Sequence, residues 1–550
     1  MAARTKSAEM DIGGPGGKVS LRDLGRYEGQ VARLDPARFM PLPPPYDDPE
    51  AQPALRSLTE SQRERLDDSL DGFTALRFPR PASRDEEDRL VRSFLSGLRK
   101  LLSRDDNWTF LGPLMLRLDY CARCQTCAEA CPIYIASGRQ EIYRPTFRSE
   151  LLRRIIKKYI NPGGRIWAAF QGADIDLNWR TVIRLGELAY RCTLCRRCAQ
   201  VCPIGIGNAL IAREIRKVFS QEMGIAPPEL HKLGTVQQLR TGSSTGMTPA
   251  ALADTIELMQ EEVEEKTGMK FEWPVDREGA DILLIHNAGE FLSWPENPEA
   301  FAIILEKAGI SYTLSSELLG YDAVNYGVWY DDVQFARIAR KQMEVARKLK
   351  VKKIVIGECG HAHKALTVVA DRLLGGDLNI PRESCLTLLD EIVSSGRLKL
   401  DPSRNDFPVT LHDPCNIVRL MGIVEPQRRI LRRIAPRFRE MTPNGTMNYC
   451  CGGGSGFAII DAVNFPDWRS AVAGRMKLKQ ILDAFAGEDP AQPKYVCAPC
   501  SNCKGQLRGL FEYFDTTRKC NIHYGGLVEL IVNAMSDIEK PYINFATEEW

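Results

Sequence analysis

The sequence predicts a multidomain chain: an extended N-terminal arm, an all-helical cysteine-rich domain, and an α/β region made of two copies of one repeat. Three observations predict this. Residues 96–235 carry a helical apolar pattern with almost no strand-like runs. After residue 270, short apolar runs alternate with helical segments, as parallel sheets require. Cysteine motifs recur, twice in the helical part and at matched positions of the α/β part. The size agrees, since 550 residues at roughly 150 per domain make three or four domains.

The arm is residues 1–95. Met40-Pro41-Leu42-Pro43-Pro44-Pro45-Tyr46 excludes helix, and the glycine-rich run from Gly13 to Gly17 excludes rigidity. It is expected to be a docking arm for a partner, with Phe39, Tyr46, Phe73 and Phe78 as anchors. A short amphipathic helix is expected over 85–102. Helices over 151–158, 178–190 and 209–222 fill the domain at 96–235. Residues 236–269 are a linker and an acidic helix. Strands are expected at 280–285, 353–357, 409–411 and 494–496, with helices over 297–308, 333–349 and about 426–434. The two copies span 270–400 and 401–550. Ile285 to Gly289 aligns with Leu411 to Cys415, Asn325 to Gly327 with Cys450 to Gly452, and Glu358 to Ala362 with Pro499 to Cys503. The cysteines are complete in the second copy and almost erased in the first.

Composition excludes several classes. Lys+Arg 73 against Asp+Glu 71 gives a formal +2, so there is no basic excess for nucleic acid. No apolar run approaches the roughly 18 residues of a membrane span. The first residues lack the apolar core of a secretory signal, and a cytoplasmic setting is expected. Seventeen cysteines in 550 residues fall well below the roughly 8–10 per cent of a disulfide scaffold. Clustered in a reducing compartment, they point to metal or redox chemistry.

Cys121, Cys124, Cys127 and Cys131, followed by Pro132, have the C-x2-C-x2-C-x3-C-P spacing, and Cys192, Cys195, Cys198 and Cys202, followed by Pro203, repeat it. Three thiolates at i, i+3 and i+6 wrap three corners of a cubane, and the fourth serves the other cluster. Zinc closes with two pairs of ligands and does not need this spacing. Two cubane [4Fe–4S] clusters are therefore expected, one on Cys121, Cys124, Cys127 and Cys202, the other on Cys192, Cys195, Cys198 and Cys131. This makes the helical part an all-α ferredoxin-type domain. Between the runs, Arg139, Arg144, Arg148, Arg153, Arg154, Lys157, Lys158 and Arg165 face only Glu141 and Glu150. That stretch is either a solvated helix face or a docking surface for an acidic partner or a membrane.

In the second copy, Asp413-Pro414-Cys415 reads as an N-cap, a first-turn proline and a first-turn thiol made acidic by the helix terminus. Cys450 and Cys451 precede Gly452-Gly453-Gly454, where backbone N–H groups can approach cluster sulfur. A phosphate loop is the weaker reading, because no Lys-Ser/Thr follows. Cys500 and Cys503 follow a buried strand, where α/β sheets place ligands. Cys497 aligns with Ile356 and reads as core, as do Cys385 and Cys520.

These motifs resemble the CCG (cysteine-rich) family of heterodisulfide reductases. With one complete and one degenerate CCG repeat behind a helical ferredoxin domain, the resemblance is to the DsrK type, iron–sulfur subunits of DsrMKJOP membrane complexes of sulfur metabolism and sulfate reduction. It implies a noncubane [4Fe–4S] cluster on Cys415, Cys450, Cys451, Cys500 and Cys503. It also implies an oxidoreductase at the cytoplasmic face of the membrane that reduces a disulfide or trisulfide on a DsrC-like sulfur carrier protein. The implied electron donor is a DsrM-like haem b/quinone membrane subunit beside the other DsrMKJOP subunits. The alternative is an electron-transfer subunit of a glycerol-3-phosphate, glycolate or lactate oxidoreductase. In the degenerate copy, Cys359 is expected to contact the sulfur chain, and His361 or His363, beside Glu358, to donate the protons that thiolate products need. His286 and His412, matched across the repeat, read as structural hydrogen-bonders.

Overall fold

The computed structural model describes residues 19–32, 34–107, 110–539 and 541–545; the run from Gly13 to Gly17 lies outside them. The chain forms two compact units. The first comprises residues up to Pro41, Gln52–Pro227 and Ile460–Arg475; the second comprises Leu42–Ala51, Pro228–Ile459 and Met476–Trp550.

The first unit contains no strand among its described residues. Its central helix, Trp179–Tyr190, starts where the Asn178 side chain accepts the Thr181 N–H, and it buries nearly every residue. It packs against the helices Arg84–Leu101 and Asn208–Lys217. The described part of the expected docking arm is folded into these two units. Leu24, Val31 and Leu70 are buried. Arg184, fully buried, donates to the carbonyls of Leu24, Tyr27 and Gly29. Asp71 takes two bonds from Arg191, at 2.8 and 2.7 Å, and one from Tyr143 at 2.6 Å. Phe78 packs edge-on against Trp179 and Phe219. Of the expected partner anchors, Phe39 and Phe73 are buried too. In the second unit, Tyr46 is buried with its hydroxyl on the Phe514 carbonyl. Apolar anchors without their own periodic core find one supplied by other segments of the chain.

The second unit holds two parallel four-stranded sheets of matching topology. In the first, β1 (Ile282–Ile285), β2 (Tyr312–Thr313), β3 (Lys353–Ile356) and β4 (Arg382–Ser384) lie in the order β2-β1-β3-β4. In the second, β5 (Val409–Leu411), β6 (Phe438–Arg439), β7 (Lys494–Cys497) and β8 (Ile522–Gly525) lie in the order β6-β5-β7-β8. Ile285 pairs with Ile356 as Leu411 pairs with Cys497. Cys497 thus occupies the register position of Ile356; both are fully buried. A shared core runs from β1 through the helices Glu296–Lys307 and Leu527–Asn533 to β5 and β7, with Cys385 inside it.

Candidate metal centres

In the first unit the two cysteine runs fold alike. Arg123 and Gln125, either side of Cys124, have φ of 57° and 67°; Leu194 and Arg196, either side of Cys195, have φ of 54° and 61°. Four non-glycine residues in the left-handed region, at the same two places of each run, are a strained backbone that winds around its middle cysteine. Cys124 is exposed, Cys127 and Cys198 are buried, and Cys121, Cys131, Cys192, Cys195 and Cys202 are half-buried. Burial pushes the Cys131 thiol up to about 12, and the other thiols it feels are Cys195 and Cys192, of the opposite run. Cys198, also pushed up to about 12 by burial, feels Cys195, Cys192 and Cys131. A neutral protein interior resists four thiolates, so the field of a bound cation is what these buried sulfurs fit. Buried guanidiniums stand nearby: Arg197 donates to the Ala130 carbonyl at 2.7 Å and Arg216 to that of Cys192 at 2.7 Å. The basic stretch between the runs is largely paired. Arg153 and Arg154 bind Glu150, Lys158 binds Asp174, and Arg148 is buried on the Leu188 carbonyl.

In the second unit Cys415, Cys450, Cys451, Cys500 and Cys503 are all buried. The thiols of Cys450 and Cys503 hydrogen-bond Cys451 and hold it well below the usual thiol range; a hydrogen bond from Cys503 also lowers Cys500. Backbone N–H groups point at sulfur: Gly452 at Cys450, 3.4 Å; Gly453 at Cys451, 3.4 Å; Gly360 at Cys500, 3.2 Å. Cys415 starts the helix Cys415–Leu420. A Cβ placed on Gly360 would lie 3.3 Å from Cys500 Sγ and 3.6 and 3.7 Å from Pro414 and Asn416, the neighbours of Cys415. Asp413 is not the cap of that helix; Pro414 takes the cap position. The Asp413 carboxylate instead binds Arg428 through two bonds of 2.8 and 2.7 Å and accepts the Gly445 N–H. A fully buried carboxylate needs a charge partner more than a helix needs a cap.

Two residues that the sequence does not assign to the site stand beside these thiols; from sequence, His412 reads as a structural hydrogen-bonder. His412 Nε2 lies 3.2 Å from Cys503 Sγ, and His412, Cys451 and Cys503 bring their ligand atoms within 4.8 Å of one another. Its counterpart His286 faces Glu290 instead, so the matched histidines have different partners. Lys477, fully buried, is held by Asn448 Oδ1 at 2.7 Å; burial lowers its ammonium to about 7 although Asp413, Cys451 and Cys450 pull the other way. A lysine on an amphipathic helix carries no sequence signal of burial beside thiols. Thiols, inward N–H groups and a buried lysine together fit an anionic iron–sulfur group.

The degenerate copy forms one wall of this site. The Glu358 carbonyl accepts the Ser501 N–H at 2.7 Å, while the Glu358 carboxylate binds the N–H groups of Leu527 and Val528. Cys359 Sγ accepts from Asn287 Nδ2 at 3.3 Å, and burial and the nearby Cys500 push the thiol up to about 12. His361 and His363 are not placed as proton donors. His361 Nε2 accepts the Asn325 N–H at 3.1 Å, its ring packed 4.2 Å from that of Trp329. His363 bridges the Cys359 carbonyl and the Ser384 hydroxyl, each at 2.8 Å. Burial lowers them to about 3 and about 4, so both stay neutral. Asn325, at the position matched to Cys450, and Trp329 pack against His361 there.

Comparison with known proteins agrees with both centres. Residues 117–206 match the 4Fe-4S dicluster domain family, and residues 409–508 match the cysteine-rich domain family, CCG. The chain is 26% identical over 483 residues to an Hdr-like menaquinol oxidoreductase iron-sulfur subunit 2 of Archaeoglobus fulgidus, covering 80% of this chain and 83% of that protein. It is 25% identical over 459 residues to the Hdr-like menaquinol oxidoreductase iron-sulfur subunit of Archaeoglobus profundus, covering 76% and 79%. It is 26% identical over 429 residues to a subunit of the dihydromethanophenazine:CoB–CoM heterodisulfide reductase of Methanosarcina acetivorans, covering 76% and 95%. The chain therefore carries a dicluster iron–sulfur domain and a CCG domain.

Proposed function

We propose that this chain is the catalytic iron–sulfur subunit of a membrane-bound, heterodisulfide-reductase-like complex, of the DsrK type, working at the cytoplasmic face. The observation that carries the reading is the asymmetry of the two copies. Five buried cysteines stand at the expected ligand positions of the second copy, whereas the first keeps Cys359 alone at the matched positions, near enough to Cys500 for the two thiols to influence each other. Cys121, Cys124, Cys127 and Cys202 would hold one cubane, and Cys192, Cys195, Cys198 and Cys131 the other. Cys415, Cys450, Cys451, Cys500 and Cys503 would hold the noncubane cluster. When bound, these groups would supply electrons singly, so that a disulfide takes up two electrons and two protons and leaves two thiols, and a trisulfide takes up the same and leaves one thiol and one hydropersulfide. The protein's own part is to hold thiolates in a dry pocket with fixed N–H donors and a buried lysine, arrangements that favour negative charge where it develops. The substrate would be a disulfide or trisulfide on a DsrC-like carrier, and the electrons would come from a DsrM-like haem b/quinone subunit. The names of the relatives, an Hdr-like menaquinol oxidoreductase iron-sulfur subunit and a heterodisulfide reductase subunit, support this setting.

The test is EPR of the oxidised protein with and without sulfur-loaded carrier, in the wild type and in Cys451→Ala. A carrier-dependent signal is expected in the wild type and absent in the variant, which should hold about four fewer irons per chain while keeping both cubane signals. Unchanged iron would refute the ligand assignment. A wild-type protein blind to the carrier would favour the electron-transfer role in a glycerol-3-phosphate, glycolate or lactate oxidoreductase.

A further inference from the structure

Between the two cubane motifs, the first unit projects a tight turn whose tip is apolar. Ile166 is 72% exposed, Trp167 57% and Phe170 84%, and the two rings lie 6.0 Å apart. This exposure is built, not an effect of slack chain. Gly164 is buried where a Cβ would fall 2.0 Å from the Lys157 carbonyl, so the backbone there closes on itself. Ala168 is buried, its N–H on the Gly164 carbonyl at 2.8 Å and its own carbonyl accepting from Ala173 at 2.7 Å. Lys158 ties the returning segment of the turn through Asp174 and the Ile175 carbonyl, each at 2.7 Å. A rigid turn thus spends its outer positions on three large apolar side chains.

Beside it runs a groove of about 870 Å³ between the helix Leu111–Tyr120 and residues 156–162. Leu111, Met115, Leu118, Ile156 and Ile160 line it. Of its charged lining residues, Arg153 is held by Glu150, and Arg104 and Lys157 outnumber Asp119. Arg165, on the tip itself, lies 5.9 Å from the Tyr159 ring. Aromatic residues on a narrow projection, with arginine and lysine around its base, match the boundary between headgroups and acyl chains. There the rings enter the interface and the cations meet anionic phosphates. A protein partner would ask for a broader, flatter apolar face. Among the described residues no helix is long and apolar enough to cross a membrane, so contact of this kind is with the surface.

We propose that the turn carrying Ile166, Trp167 and Phe170 inserts into the interface of an anionic bilayer and seats the first unit on the membrane. The inference deepens the peripheral membrane setting proposed above but not the sulfur reaction, and its test uses no sulfur substrate. The cluster-loaded chain is floated with protein-free vesicles of phosphatidylcholine, with and without phosphatidylglycerol, at low and high salt. Binding is expected to the phosphatidylglycerol vesicles and to weaken with salt. Trp167→Ser with Phe170→Ser should lower it about tenfold or more, and Arg165→Glu should lower it with iron content and visible spectrum unchanged. Brominated lipid should quench tryptophan fluorescence in the wild type and much less in Trp167→Phe. Absence of wild-type binding to protein-free vesicles overturns the proposal, as does undiminished binding by the double variant. Binding only to vesicles that carry a membrane subunit overturns it in favour of protein docking. None of these outcomes touches the proposed reaction, which the carrier experiment tests.

Discussion

His361 and His363 show how burial reverses a role inferred from residue type. An imidazole suits proton transfer only where it can gain a charge, and both are sealed among neutral partners. Their depressed pKa values mean the folded chain binds fewer protons than the unfolded chain below about pH 6.5. Their contribution to stability is therefore fully present above that value and is lost as pH falls toward 4. His361→Gln with His363→Gln should leave the pH profile of turnover unchanged above pH 6.5; a displaced profile would restore them as donors. Burial lowers Lys477 as well, but only to about 7, because Asp413 and the thiols Cys451 and Cys450 favour its charged form. Lys477→Met should shift the potential of the nearby cluster downward, on the order of tens of millivolts for one charge in a partly shielded interior. Redox titration followed by EPR checks this, and an unmoved potential would reduce Lys477 to packing.

At the level of elements, the turn at Gly360 brings the two repeats together. Its N–H serves Cys500, and a Cβ there would already meet Cys500 Sγ at 3.3 Å and Pro414 and Asn416 at 3.6 and 3.7 Å. Gly360→Leu should therefore press on Cys500 and cost that centre its iron, about four atoms per chain, with both cubane signals kept. A full iron complement in the variant would overturn this. This pairing of copies was legible in the sequence because the cysteines and the apolar strands mark the same offsets. Other elements were not. β4 is Arg-Glu-Ser and β8 is Ile-His-Tyr-Gly, edge strands too short and polar to stand out from loop. The positions of the ferredoxin cysteines were readable from spacing, but the left-handed residues around Cys124 and Cys195 are Arg, Gln, Leu and Arg, types that give no hint of it. The Asp413–Arg428 pair was hidden because its partners come from separate elements.

At the scale of the whole molecule, the N-terminal segment is a structural part of the first unit. Asp71 and Arg191 are fully buried as an ion pair, and removing one partner of such a pair costs roughly 3–5 kcal/mol. Deleting residues 1–83 removes Asp71, Leu24 and Leu70 at once. Iron should fall by about eight atoms per chain, with loss of both cubane signals. A truncated protein that kept its cubanes would return the segment to the role of a detachable arm. The first unit also takes Ile460–Arg475 from inside the second repeat, where Trp468 is buried and stacks near Arg191. That detour sets an order of manufacture. A ribosome must pass residue 475 before the cubane-bearing unit has all its parts, so iron delivery to the first cysteine motifs, made some 350 residues earlier, waits for nearly the whole polypeptide. Until then those eight thiols are nascent, open and oxidisable, and the cell has to shield them for most of the time it takes to make the chain.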